Sequence, residues 1–349
     1  MSVKEFREYL LDSMLNILWK QWAALGIYSN VEQEDKYLID PESLLYATCS
    51  FGRFDQRLFD EVIIWLGENG SLLNIDRLKN VLVFFNGLEI NTLGAIAEYL
   101  VQKEKKKKWD RVVLFCERKK KEDETQDLFM TKDLIPIPIV GKSEEIFLRW
   151  GLRRNEVNLR HIIREIDFEN PCNLLFKMRS FFGINARADI CAFLLFSEGE
   201  NSLQISKKIH FNQRNVYHVL NELCRSGLVE KKYFEKGSLY TLDHSNWSDF
   251  FKIDKSLSYI IWAKVFSALY YLFEQMFQQP EKFEDSYLAS SEFREISEIF
   301  IPEIKSSGVK VLSKHLERAT GELFTPQFVD YVEKILHQLL GKTNKIQAI

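Results

Sequence analysis

Apolar residues recur at helical spacing over most of the chain. Phe6, Leu10, Met14, Ile17, Leu18 and Trp22 mark an amphipathic helix that ends near Gly26. Asp40-Pro41-Glu42 reads as a cap with proline at the first helical position, opening a helix through Leu44, Leu45 and Ala47. A third helix runs from about Gln56 to Leu66 and stops before Gly67 and Gly70. Asn74 or Ile75 opens a fourth through Leu78, Val81, Leu82 and Phe85, and Asn91 caps a fifth through Ile96 and Leu100. Residues 1–109 therefore predict a helical N-terminal domain. The short helices from Pro41 to Phe85 also admit a wingless helix-turn-helix, though no hairpin pattern follows Phe85.

Residues 110–170 read as an irregular linker region with a basic run, wrapped over that domain. Arg111 to Cys116 looks strand-like, Ile135-Pro136-Ile137-Pro138 must be extended, and Ser143 to Trp150 suggests a short helix. Asn170-Pro171 restarts helix through Leu174, Leu175 and Met178 to Phe182. After His244 the pattern is helical again, with a very apolar helix from Phe250 to Phe277 and others at Glu292 to Phe300 and Gln327 to Leu340. Residues 246–349 are expected to form a helical C-terminal domain for dimerisation or sensing, because the apolar residues of its first helix cover more than one face.

The segment Ile184 to Leu242, within a domain of residues 171–245, is the most specific. Ile190, Phe193 and Leu194 give a first helix after the break at Gly183, and Glu200-Asn201-Ser202 supplies a turn and a cap, with Ser202 opening a second helix that contains Ile205 and Ile209. Phe211 plugs the turn, and Asn212 caps a third helix with Val216, Val219, Leu220 and Leu223 on one stripe. Arg214, His218, Asn221 and Arg225 fall on the opposite side, flanked by Gln213, Asn215 and Tyr217. Ser226-Gly227 ends the helix, Leu228 to Phe234 reads as a strand, Glu235 to Ser238 as a turn, and Leu239 to Leu242 as the returning strand.

Over these residues the chain resembles winged helix-turn-helix regulators of the broad prokaryotic MarR/ArsR-like type. The pattern is Ser202…Ile205-Ser206…Ile209, Asn212…Val216…Leu220, then Ser226-Gly227-Leu228-Val229 leading into the hairpin. The resemblance implies that the third helix enters the major groove of duplex DNA and that the hairpin, as the wing, touches the backbone or minor groove. Gln213, Arg214, Asn215, Tyr217, His218 and Asn221 are then the candidate base-edge or groove contacts, and Ser202, Lys207 and Lys236 the candidate phosphate contacts.

Composition narrows this. Hydrophobic residues at 46% and aromatics at 13% describe a folded globular chain. A formal net charge of -3 excludes a generally basic nucleic-acid coat, so any DNA contact must be local. The segment itself is near neutral: Arg187, Lys207, Lys208, Arg214, Arg225, Lys231, Lys232 and Lys236 face Asp189, Glu198, Glu200, Glu222, Glu230, Glu235 and Asp243. Two basic runs, Lys105 to Lys108 and Arg118 to Lys121, are read either as a supplementary phosphate patch or as solvated surface.

The five cysteines (Cys49, Cys116, Cys172, Cys191, Cys224) have no C-x-x-C spacing, which fits a reducing cytoplasm and argues against a structural metal. The N-terminus lacks a signal-peptide shape, and Lys264 near the middle of Leu257 to Phe277 argues against a membrane span, since a central charge costs ~3 kcal/mol or more. There is no P-loop, no G-x-G-x-x-G after a strand, no G-x-S-x-G and no H-E-x-x-H, so neither an enzyme nor a cofactor is expected. The expectation is a mainly α protein that regulates transcription as a homodimer on double-stranded DNA, with an effector or protein partner left open. The alternative is an interaction scaffold or antitoxin-like partner whose winged helix packs against another protein.

Overall fold

Indole rings fix how the first helices meet, because each buried N–H needs an acceptor as well as apolar cover. A computed structural model describes residues 1–82, 88–120, 125–158, 163–234, 237–313, 316, 319 and 321–341. Helix α1 spans Val3–Ala24 with a complete capping box between Ser2 and Glu5. α2 (Pro41–Phe51) and α3 (Gln56–Asn69) follow, capped by the side chains of Asp40 and Asp55. The Trp22 and Trp65 rings meet edge-on at 5.1 Å. Trp22 Nε1 donates to Thr48 Oγ1 at 2.9 Å, and Trp65 Nε1 to the Leu25 carbonyl at 2.8 Å.

Helix α4 (Ile75–Val81) is capped by Asn74, α5 spans Leu88–Gln102, and α6 Asp110–Glu117. Three sequence expectations are corrected here. α3 passes through Gly67 and ends at Asn69, before Gly70 lies against Trp109. Asn91 lies inside α5 and does not cap it. Arg111 to Cys116 is helix, not strand: Val112 and Cys116 are buried one turn apart, while Leu114, which strand alternation would place with them, is exposed. The expected end of the fourth helix, near Phe85, lies outside the described residues.

Residues 125–158 pack over α3 and α5. Strand β1 (Gln126–Asp127) runs parallel to β2 (Leu152–Arg153), with the short helix α7 (Glu145–Arg149) between them in sequence. The buried Arg154 guanidinium lies over Phe129 and Phe147, each at 5.0 Å, and donates to Asp60 at 2.6 Å. Gly94 of α5 is required by contact: a Cβ there would sit 2.2 Å from the Trp150 ring.

α8 (Leu174–Phe182) leads into three short helices, α9 (Ala186–Leu194), α10 (Ser202–Ile209) and α11 (Gln213–Arg225). An antiparallel hairpin follows, β3 (Val229–Phe234) with β4 (Gly237–Leu242), in a register that pairs Val229 with Leu242 and Phe234 with Gly237. The second helix opens at Ser202 and is capped by Asn201, whose side chain accepts from the Gln204 amide at 2.9 Å.

The single helix expected from Phe250 to Phe277 is two. α12 (His244–Phe251) ends at Lys252, which turns left-handed at φ 53°, and α13 (Trp262–Gln278) starts only after an extended stretch. α14 spans Ser286–Ser307 with Pro302 inside it, and α15 spans Phe324–Leu339. These helices pack against the first ones. Trp262 Nε1 donates to the Leu38 carbonyl, Phe51 meets Tyr270 and Phe273, Phe6 meets Phe293, and Tyr9 meets His337.

The protein is mainly helical, and its described strands form two-stranded sheets. Among the described residues, no helix is long and apolar enough to cross a membrane. Lys264 of α13 pairs with Glu303 at 3.5 Å and donates to Ser306. All five cysteines are free thiols.

Candidate nucleic-acid interface

Helix α11 is built by its sequence to show two unlike faces. Asn212 caps it by accepting from the Arg214 amide at 2.9 Å. Val216, Leu220 and Leu223 are buried against α9 and α10, with Val219 half-buried beside them. Gln213, Arg214, Asn215, Tyr217, His218 and Arg225 are exposed, and Asn221 is half-buried. Among the described residues, the side chains of Gln213, Arg214, Asn215, Asn221 and Arg225 have no hydrogen-bond or ion-pair partner. Glu222, the acid on this helix, is paired with Arg187 at 2.5 Å.

The remaining candidates are less uniform. Lys207 is exposed on α10, and Ser202 is half-buried at its start. Lys208 is taken by Glu200. Lys236 lies outside the described residues. On the hairpin, the Lys231 ammonium stands 5.0–5.8 Å from the ring centroids of Tyr233, Tyr240 and Tyr217, which joins β3 to α11.

The turn between α10 and α11 is held from outside. His210 takes a left-handed conformation, φ 58° and ψ 44°, at the end of α10. Arg77 Nε donates to the Ile209 carbonyl at 2.9 Å, and Asn80 Nδ2 to the His210 carbonyl at 2.9 Å. Both donors belong to α4. The carbonyls left over where α10 stops are thus partnered by the N-terminal helices.

Behind this turn lies a buried ionic cluster. Arg77 contacts Asp40 and Glu42 at 2.6 Å and Asp189 at 3.3 Å; Arg179 contacts Glu42 at 2.8 Å and Asp189 at 3.1 Å. It ties α2 and α4 to α8 and α9. Burial alone would raise the carboxyls; for Asp40 it is outweighed by the Arg77 guanidinium with Ser43, and for Glu42 by Arg179 and Arg77, which hold both below the usual range. For Asp189 burial wins and its pKa rises. His210 is pushed down to about 4 by burial and then by the Arg77 charge.

A surface groove of about 330 Å³ opens beside the start of α11. Its walls include Asn212 and Asn215, Asn185 at the cap of α9, and Asp76, Asn80, Lys108 and Arg111 from the N-terminal helices. Lys108, the last residue of the first basic run, donates to the Ser71 and Leu73 carbonyls, and Arg111 pairs with Asp76. The other run is placed differently. Lys120 donates to the Arg149 carbonyl and lies over Trp150, and Lys121 falls outside the described residues.

Among the described residues, no three His, Cys, Asp or Glu side chains converge as a metal site. Compared with protein-family models, with curated proteins and with solved structures, the chain matches none.

Two features of this region escaped the sequence reading. The α4 clamp joins residues 130 and 132 positions apart, and nothing local announces it. The exposed Tyr233 and Phe234 have a signal, an aromatic pair at the end of the first hairpin strand, but strand propensity alone accounts for it.

Proposed function

We propose that residues 186–242 are a winged helix-turn-helix and that the protein binds duplex DNA with it to regulate transcription. The observation that carries this is the uncovered face of α11. Its exposed side chains include Gln213, Arg214, Asn215 and His218, and its one acid is neutralised by Arg187. Arg, Gln and Asn donors on a helix face match base edges in the major groove, where bidentate contacts read sequence. Lys207, exposed on α10, is suited to a flanking phosphate, whereas Lys108 and Arg111 beside the groove already have partners within the chain.

A homodimer in this reading joins through the outer side of the C-terminal helices, where Leu288 and Ile299 stand exposed on α14. The inner sides of α13 and α15 are already taken by the chain's own first helices. Free thiols throughout fit a reducing cytoplasm.

A second reading, an interaction scaffold, is favoured by one surface. Phe181 and Phe250 are each 59% exposed in a cluster with Phe182, Trp247 and Phe251. Selection of bound duplexes from a random pool separates the two. The DNA reading expects an enriched sequence, with Arg214→Ala weakening binding to it by about 1–3 kcal/mol and relaxing its preference at one position. Enrichment of nothing, with α11 variants losing a co-purifying protein instead, would favour the scaffold.

A further inference from the structure

The hairpin ends on two large aromatic side chains that the fold leaves in water. Tyr233 is 79% exposed and Phe234 61% exposed. Cross-strand cover is what normally shelters such rings, and the register denies it: Tyr233 faces Ser238 and Phe234 faces Gly237, which has no side chain. Alternation sends the two rings to opposite faces of the hairpin, each two residues beyond a lysine, Lys231 or Lys232. A packing role within the chain would bury these rings. The exposed polar face of α11 is joined to the same strand through Lys231.

The geometry points to Phe234 as a wedge that enters the minor groove and partly unstacks a base step, bending the duplex. This rests on the DNA reading above. Apolar side chains inserted between base pairs kink DNA by about 20–90°, most readily at flexible pyrimidine–purine steps. The occupant is therefore duplex DNA carrying a TA or CA step one wing's reach from the base-reading helix. Lys232, on the face of Phe234, meets a phosphate beside the wedge.

The test uses the full chain and duplexes recovered by selection, labelled at both ends for energy transfer and carrying 2-aminopurine at each TA or CA step in turn. At saturating protein, wild type is expected to shorten the end-to-end distance and raise 2-aminopurine fluorescence at one step. Phe234→Ala, a surface change that leaves the melting curve intact, should lose both signals, and Phe234→Leu should keep them. Binding by wild type without bending or unstacking would overturn the inference and leave the DNA reading standing. So would unchanged signals in Phe234→Ala. Failure of wild type to bind any duplex would overturn the DNA reading itself and the wedge with it.

Discussion

Arg77 and Arg179 are almost wholly buried, and each holds its charge only because carboxylates surround it. Removing one partner from such a set strands the others without compensation, which costs about 3–5 kcal/mol. Arg179→Ala should therefore lower the urea-unfolding free energy by that amount. A loss under about 1 kcal/mol, the scale of an exposed pair, would show that the cluster is hydrated. His210 carries a different signature. Its pKa is about 4 in the fold against an ordinary 6.5, so the unfolded chain binds more protons between those values and stability falls as pH drops through that window. At about 1.4 kcal/mol per pH unit the full loss is about 3 kcal/mol. His210→Asn keeps a residue that tolerates the left-handed turn and should remove this contribution alone, read as the difference between the wild-type and variant unfolding free energies changing by about 3 kcal/mol between pH 4 and 7.

At the level of elements, α11 was legible because its stripe of Val216, Leu220 and Leu223 and its cap at Asn212 are local facts. Asn212→Ala should cost about 1 kcal/mol, measured by thermal unfolding. The same locality explains the errors. Val112, Leu114 and Cys116 satisfy strand alternation as readily as helical spacing, and only burial decides between them. The break at Lys252 was hidden within a run of apolar residues. What sequence could not supply was the partnering of distant elements: the clamp from α4 on the turn, and Gly94 under Trp150. Gly94→Ala should destabilise the fold by about 1–3 kcal/mol despite alanine's better helix propensity, since the ring cannot retreat from its bond to Glu98 without loss. Stabilisation by that substitution would contradict the packing described.

For the molecule as a whole, buried apolar side chains form one continuous core from Phe6 to Leu340, and the ionic cluster seals the hairpin-bearing unit to the N-terminal helices. Unfolding in urea, followed by tryptophan fluorescence and by far-ultraviolet circular dichroism, should give one coincident transition; two separated transitions would mean that the unit folds alone. Titration is distributed too. Burial pushes Glu89, which accepts from the Tyr270 hydroxyl with Arg53 and Glu274 nearby, up to about 7. The folded chain thus holds a proton that the unfolded chain releases near 4.5, and stability falls as pH rises from 4.5 to 7, by about 3 kcal/mol at most. That slope opposes the one from His210.

The central claim concerns the open face of α11, and the most direct measurement is a titration of the full chain against fluorescent duplex DNA from around its own gene, with an unrelated duplex as competitor, at two salt concentrations. The account predicts binding that survives competition, weakens steeply as salt rises because phosphates are neutralised, and falls for Arg214→Ala with the salt dependence nearly kept. Absence of binding at low salt, or binding equal for both duplexes and indifferent to Arg214, would contradict it.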